Sequence, residues 1–303
     1  MMITMGNRLI AVLAIALAVA APAAVRAGGI ATGGTTGGGT TGGGTTGGGA
    51  VAAGQRAAAV YWSPARMTAA ARAAGSAATW LSGNTAGRGL RWAHGGAVTR
   101  SLGKVFFTLR GTDYACSGAA VDSAHADVVL TAAHCVSDGA GHLATHWVFV
   151  PGYRDGTAPY GVYAARRFFV SPGWPASEPD DIAFVQVNKA LPGGLPAAFT
   201  GRPPAEGTYV FGYPAESPYS GQYPDYCAGR EAAARGGSAL PCSMTAGDSG
   251  GPWLAGFRPR PGTGTIVAVS TYKLTGDMRV LYGAVLGSGA RDLYQQAAVS
   301  PVR

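Results

Sequence analysis

Residues 247–252 read Gly-Asp-Ser-Gly-Gly-Pro, and residues 131–135, more than a hundred positions upstream, read Thr-Ala-Ala-His-Cys. A serine set among glycines suits an exposed nucleophile, because glycine lets the backbone take conformations that other residues resist. A histidine can take the serine's proton, and the two residues together point to acyl transfer by a serine hydrolase. Either string alone is a moderate signal. The two in the order histidine then serine, with acidic residues between them, are a strong one.

Gly247-Asp248-Ser249-Gly250-Gly251 also fits the G-x-S-x-G elbow of α/β-hydrolases, whose histidine follows the serine. The five histidines are His94, His125, His134, His142 and His146, and none follows Ser249. That reading is excluded for a histidine base, which leaves the chain order His…Asp…Ser.

Ten Asp or Glu residues lie between His134 and Ser249, counting Asp248. The acid that orients the base should be buried beside it and so should enter an apolar segment. Asp181 does so at the head of Ile182-Ala183-Phe184-Val185-Gln186-Val187, a run with strand chemistry. Asp180 is the rival. It follows Pro179, and adjacent strand residues face opposite ways.

These strings resemble the trypsin/chymotrypsin family of serine endopeptidases over about residues 101–290. Cys116-Ser117-Gly118 and Pro241-Cys242-Ser243-Met244-Thr245 look like the secreted bacterial branch that includes the glutamyl endopeptidases. The resemblance implies His134 as general base, Asp181 as its orienter and Ser249 as nucleophile. It also implies an oxyanion hole from the N–H groups of Gly247 and Ser249. No triad residue is lost, as one normally is in inactive family members. A protease-fold binding or structural protein remains the alternative class.

The chain has 303 residues and a net charge of +8. Residues 1–100 hold eight Lys or Arg and no acid, which leaves 15 of the 23 basic residues against all 15 acids in the remainder. The remainder therefore lacks the basic footprint of a nucleic-acid binder. Residues 1–27 look like a secretory signal: Arg8, then an apolar run of 12 residues from Leu9 to Ala20, too short for a comfortable span, then small residues. A secreted monomer acting on protein or peptide substrates is expected, without stable membrane insertion. Four cysteines suit export and allow three pairings. Cys116–Cys135 would staple the base's hairpin, and Cys227–Cys242 would close a loop before the nucleophile. No C-x-x-C pair supports zinc, and no cofactor or metal is expected.

Residues 35–49 are three copies of Thr-Thr-Gly-Gly-Gly, and residues 28–50 read as a flexible linker. Ser63-Pro64 opens a helix expected over Ala65 to Ala74. Residues 51–100 resemble the propeptides of exported bacterial proteases, with a surface helix of the mature protein as the alternative. A zymogen beginning its mature form between about Leu90 and Leu102 is therefore expected. From Lys104 onward short β-rich runs alternate with Gly, Pro and Asp: Val105 to Leu109, Val128 to Leu130, Trp147 to Val150, Ile182 to Val187, Thr208 to Phe211, Ile266 to Ser270 and Val280 to Val285. Such a pattern implies an all-β sandwich or barrels. The resemblance selects two six-stranded antiparallel barrels, about 101–190 and 200–290, with the site between them and residues 188–205 as the connection.

Three departures from the family stand out. No Ile-Val-Gly-Gly-like N-terminus is present to pair with Asp248, and Cys242 lies seven residues before the serine. The position at the base of the first pocket is Ser243, which cannot pair with Lys or Arg, and its neighbour Met244 is bulky and apolar. The expected substrate-pairing strand contains Ser270, Thr271 and Tyr272 but no histidine to hold an acidic side chain. A preference for apolar or small uncharged residues before the cleaved bond is expected. Specificity for Glu is the alternative, and it requires a cation not evident in these motifs.

Overall fold

A computed structural model describes residues 13–14, 47–72, 87–204, 206–274 and 276–299. Most of the signal-like stretch and residues 28–46 of the expected linker lie outside the described residues, as do Ala73 and Ala74 of the expected helix.

Six strands close a barrel: β1 (Leu102–Leu109), β2 (Thr112–Val121), β3 (Val128–Thr131), β4 (Thr145–Pro151), β5 (Tyr163–Val170) and β6 (Ala183–Val187). Their order around the barrel is β1-β2-β3-β6-β5-β4, and every neighbouring pair is antiparallel. Arg110 and Gly111, at φ 50° and 79°, make the two-residue turn from β1 to β2. Positive φ at both central positions is what such a hairpin turn requires. Val105, Phe107, Val129, Phe149 and Val185 fill the interior and are fully buried.

The second half holds β7 (Thr208–Gly212), β8 (Asp225–Gly229), β9 (Ala232–Ala234), β10 (Gly237–Pro241), β11 (Pro252–Arg258), β12 (Thr263–Leu274) and β13 (Asp277–Val285). They pair in the order β9-β10-β13-β12-β11-β7-β8, and a short strand at Leu90–Arg91 continues the sheet beyond β8. The fold is the chymotrypsin-like pair of β-units. Among the described residues the hydrogen-bonded ring is complete only in the first.

Both disulfides are present, Cys116–Cys135 and Cys227–Cys242. The first ties β2 to the turn carrying His134, and the second ties β8 to the end of β10.

The N-terminal region departs from the expected division at residue 100. Helix α1 (Gly47–Tyr61) begins inside the stretch expected to be linker, because Ala50, Ala52 and Ala53 are strong helix formers that carry the helix backward. Helix α2 (Pro64–Arg72) starts at the proline, with the Arg66 N–H donating to Ser63 Oγ at 3.3 Å. Trp62, Met67, Ala70 and Ala71 are buried in the core they share with Phe106 of β1 and Phe211 of β7. Trp92 is 4% exposed and meets Phe211, Tyr226 and Phe257 edge-on, with ring centroids 5.3–5.6 Å apart. A short helix α3 (Ala97–Ser101) leads into β1, and α4 (Ser288–Val299) returns to the first barrel, where Tyr294 packs against Phe184.

The burial of Trp92 ties the residues before β1 to the core packed around Phe211 and Phe257. Trp92→Ala should cost about 3–5 kcal/mol of stability, as deletion of a buried aromatic side chain does. Chemical denaturation of the two proteins measures the difference.

Candidate active site

The Ala133–Cys135 turn follows β3 and carries His134, and Asp181 immediately precedes β6, which pairs with β3. Thr131 lies opposite Ala183 in that pairing, so the ladder itself brings the two side chains together. The Asp181 carboxylate accepts twice from one residue: from the His134 backbone N–H at 2.9 Å and from Nδ1 at 2.8 Å. The double contact fixes the ring and turns Nε2 away from the acid. Nε2 is buried and has no hydrogen-bond partner. Asp180 is engaged elsewhere, accepting from Ser171 Oγ at 3.0 Å. Trp174 stands 6.2 Å from the imidazole, its Nε1 donating to the Ser137 carbonyl.

The Ser249 turn comes from the second unit and is pinned to the first by backbone. The Ser117 N–H donates to the Ser249 carbonyl at 2.7 Å, and Cys135 Sγ lies 3.9 Å from the same oxygen. A Cβ on Gly250 would sit 2.2 Å from Thr131 Oγ1 and 2.8 Å from the Ala132 nitrogen, so the residue after Ser249 abuts the strand leading to His134. Gly247 has φ +100°, and a Cβ there would lie 2.5 Å from the Tyr213 carbonyl. Ser117 Oγ donates to the Gly247 carbonyl at 2.8 Å and accepts from the Tyr213 N–H at 2.9 Å. The amides of Asp248, Gly250 and Gly251 donate to backbone carbonyls. Cys116, His134 and Cys135 offer atoms within 4.8 Å of one another, but both sulfurs belong to the disulfide and supply no thiolate for a metal.

The residues expected to meet substrate are placed unevenly. Ser243 is partly exposed, and its hydroxyl lies 2.9 Å from Tyr219 Oη. Met244 is the neighbour of Ser243. Its side chain is fully buried in the apolar cluster of the second unit with Leu240, Cys242 and Trp253, where a flexible thioether gains contacts that an open pocket would not give. Ser270 Oγ accepts from Trp253 Nε1 at 3.1 Å, Thr271 Oγ1 donates to the Tyr282 carbonyl at 3.1 Å, and Tyr272 stacks on Tyr282 with centroids 4.9 Å apart. Burial, followed by a hydrogen bond with Glu178, raises the Tyr272 hydroxyl above its ordinary range.

Sequence reasoning missed three contributors. Ser117 passed only as part of a resemblance, although a small hydroxyl beside Cys116 was the available signal. Tyr219 carried none. Lys273 is 2% exposed and donates to the carbonyls of Cys242, Met278 and Val280 at 2.5, 2.8 and 3.4 Å. Burial pulls it down to about 8, partly offset by Asp248. Asp248 is 1% exposed, and neither carboxylate oxygen has a hydrogen-bond partner in another residue. Burial pushes it up to about 7, with Lys273 and then His134 acting in the opposite direction.

A family model described as a trypsin-like peptidase domain matches residues 116–256. The solved protease Anisep from Arthrobacter nicotinovorans is 32% identical, with a TM-score of 0.63, covering 67% of this chain and 98% of its own. A thermostable serine protease, AL20, from an extremophilic microorganism is 31% identical at TM-score 0.62, covering 68% of this chain and 100% of its own. A Glu endopeptidase, at 17% identity and TM-score 0.57 over 70% of this chain and 97% of its own, shares the fold. No curated protein sequence matches the chain. The chain belongs to the trypsin-like peptidase family, and it is a serine endopeptidase.

The buried Asp248 makes stability depend on pH with a definite sign. Its folded pKa lies above the ordinary 3.8, so from about pH 4 to 7 the folded state holds the proton that the unfolded state releases. Stability from this group is therefore lost as pH rises through that window. Asp248→Asn should shrink the difference in denaturation midpoint between pH 5 and pH 8 relative to the wild type. An unchanged or larger difference would contradict the assignment.

Proposed function

We propose that the protein is a secreted serine endopeptidase in which Ser249 attacks the peptide carbonyl and forms an acyl-enzyme. His134 Nε2 takes the serine proton and returns it to the leaving amine. Asp181 holds the tautomer with the proton on Nδ1 and stabilises the imidazolium. The carrying observation is the double acceptance by Asp181 from one histidine, which leaves Nε2 without a partner on the side away from the acid. The N–H groups of Gly247 and Ser249 form the oxyanion hole. The left-handed φ of Gly247, supported through Ser117, favours an amide turned outward at that corner.

The signal-like residues 1–27 direct export, which suits the two disulfides. No helix among the described residues is long and apolar enough to cross a membrane. The substrate is protein or peptide, cleaved by a monomer. The mature chain begins no later than Gly87, upstream of the start expected from composition. The Gly87 carbonyl accepts from the Ser243 N–H at 2.7 Å, and the Gly89 N–H donates to Tyr219 Oη at 3.0 Å. Cutting inside Leu90–Leu102 would remove this support from the wall of the first pocket.

Small or apolar uncharged residues are preferred before the cleaved bond. Lys273, the buried cation at the end of the pocket strand, directs its ammonium at three carbonyls and has Asp248, Asp277 and Glu216 as its charged neighbours. It has no donor left for a substrate carboxylate. Digestion of a peptide library decides this: cleavage mainly after Glu, or mainly after Lys and Arg, would overturn it.

The triad is tested by substitution. Ser249→Ala and His134→Ala should each abolish nearly all turnover in folded protein, because the two act as a unit. Asp181→Asn should lower kcat about 10⁴-fold through the wrong tautomer. More than a tenth of wild-type activity in Ser249→Ala would refute the assignment.

A further inference from the structure

We infer that helices α1 and α2 are retained by the mature enzyme as a brace for the nucleophile turn, acting through the loop 213–222. The inference rests on the reading of Ser249 as nucleophile.

The helices are anchored by side chains that the barrel needs. Trp62 packs on Phe106 with centroids 5.2 Å apart and donates from Nε1 to the His146 carbonyl at 2.6 Å. Tyr61 stacks on the His146 ring at 4.0 Å and an interplanar angle of 3°. Asp113 on β2 is 6% exposed and accepts from Tyr61 Oη at 2.8 Å, Arg66 Nε at 2.8 Å and Thr108 Oγ1 at 2.7 Å. Two of these three donors, including the guanidinium, come from the N-terminal segment. Without them a buried carboxylate keeps a single hydroxyl donor, which is strongly unfavourable.

The C-terminal end of α2 then meets the loop. A Cβ on Gly221 would lie 2.2 Å from the Ala71 carbonyl and 3.0 Å from Lys104 Nζ, so only glycine admits the helix end there. Lys104 is fully buried and donates to the Gly221 carbonyl at 2.7 Å. Its ammonium sits 5.6 Å from the Tyr213 ring centroid and 5.9 Å from that of Tyr153. Gln222 Nε2 donates to the Thr68 carbonyl of α2 at 3.4 Å, and its Oε1 accepts from Tyr153 at 2.9 Å. Burial pulls Lys104 down to about 7, as expected of a cation that meets carbonyls and ring faces and forms no ion pair among the described residues.

The other end of this loop supports the nucleophile turn. The Ala215 N–H donates to the Ala246 carbonyl at 2.7 Å, and the Glu216 N–H donates to Thr245 Oγ1 at 3.0 Å. Tyr213 is hydrogen-bonded to Ser117, which also holds Gly247. Residues 245–247 lead directly into Ser249. Contact therefore runs without a break from α2 through Gly221 to the turn that carries the oxyanion-hole amides. Withdrawing α2 would open Lys104 and Tyr213 to water and release the loop at one end. A displacement of about 1 Å at reacting groups is enough to lower turnover by up to about 100-fold.

The experiment compares secreted wild type with full-chain variants Trp62→Ala, Arg66→Ala and Gly221→Ala. Intact-mass analysis of the purified active enzyme should find residues 51–72, either in the main chain or as a bound fragment. Trp62→Ala and Gly221→Ala should lower kcat about tenfold or more, with KM changed about twofold or less, and should slow fluorophosphonate labelling of Ser249 in proportion. Arg66→Ala, at a partly exposed side chain, covers the case in which Trp62→Ala fails to fold, and should lower kcat by a smaller factor in the same pattern. Fully active enzyme lacking residues 51–72, or wild-type kcat in Gly221→Ala and Arg66→Ala, would overturn the brace. Failure of the label to attach to Ser249 in the wild type would instead sink the catalytic assignment.

Discussion

The two β-units meet where Gly250 presses against β3 and β2, and that contact dictates much of the rest. Thr131 Oγ1, the Ser117 carbonyl and the Ala132 nitrogen lie 2.2, 2.4 and 2.8 Å from where its Cβ would be. No side chain can occupy that space without separating the units. Two of the three atoms, the Ser117 carbonyl and the Ala132 nitrogen, are backbone and cannot be moved aside by a change of rotamer. Ser249 is one residue before this contact, and His134 is two residues beyond Ala132. Ser249 and His134, the proposed nucleophile and base, are therefore held by a junction that would be wanted for packing even in a silent protein. The Cys116–Cys135 bridge lies beside the same junction and limits how far β2 and the His134 turn can separate.

Catalytic geometry of this kind carries an electrostatic cost, visible at Asp248. Its carboxylate is buried next to Ser249 with no hydrogen-bond donor from another residue, and the charged neighbours that favour its ionised form are Lys273 and His134. Lys273 is itself turned toward three carbonyls. Each charge reduces the cost of the other, and neither is fully compensated. Gly212 permits this burial, since a Cβ there would lie 2.8 Å from that of Asp248.

What was legible in the sequence follows from how local each signal is. The strings around His134 and Ser249 are short, and glycine and cysteine at fixed offsets state their own backbone requirements. Asp181 was separable from Asp180 by the apolar run it heads, although strand alternation is not what parts them: Asp180 ends the 3-10 turn Glu178–Asp180 and Asp181 caps it, with Ser171 as partner of the first and His134 of the second. All seven β-rich runs coincide with strands. Strands such as Thr112–Val121 are quieter. Ala115, Ser117, Gly118, Ala119 and Ala120 are small, a Cβ on Gly118 would lie 3.1 Å from the Leu130 carbonyl, and small residues carry little β signal. The burial of Met244 was hidden for a related reason: position relative to the serine says nothing about which way a flexible side chain turns. Lys273 and Tyr219 act through contacts distant in sequence, which no local pattern encodes.

The N-terminal region exposes a limit of composition as a guide. Residues 51–72 are rich in Ala, with three Arg and no acid, and such a stretch reads as having little to bury. Alanine-rich helices, however, need few anchors, since helix formation costs them little and one large side chain can remove much apolar area from water. Trp62 and Met67 provide that area, and buried Ala70 and Ala71 let the helix end approach Gly221 closely. Small residues here mark a tight interface rather than an absent one, as they do in β2. The same inversion applies to Leu90–Arg91, a two-residue strand whose worth lies in the Trp92 that follows it. Density of apolar residues tells how much surface a segment can bury; whether it belongs to a domain depends on where its few large side chains fall and how near its backbone can come.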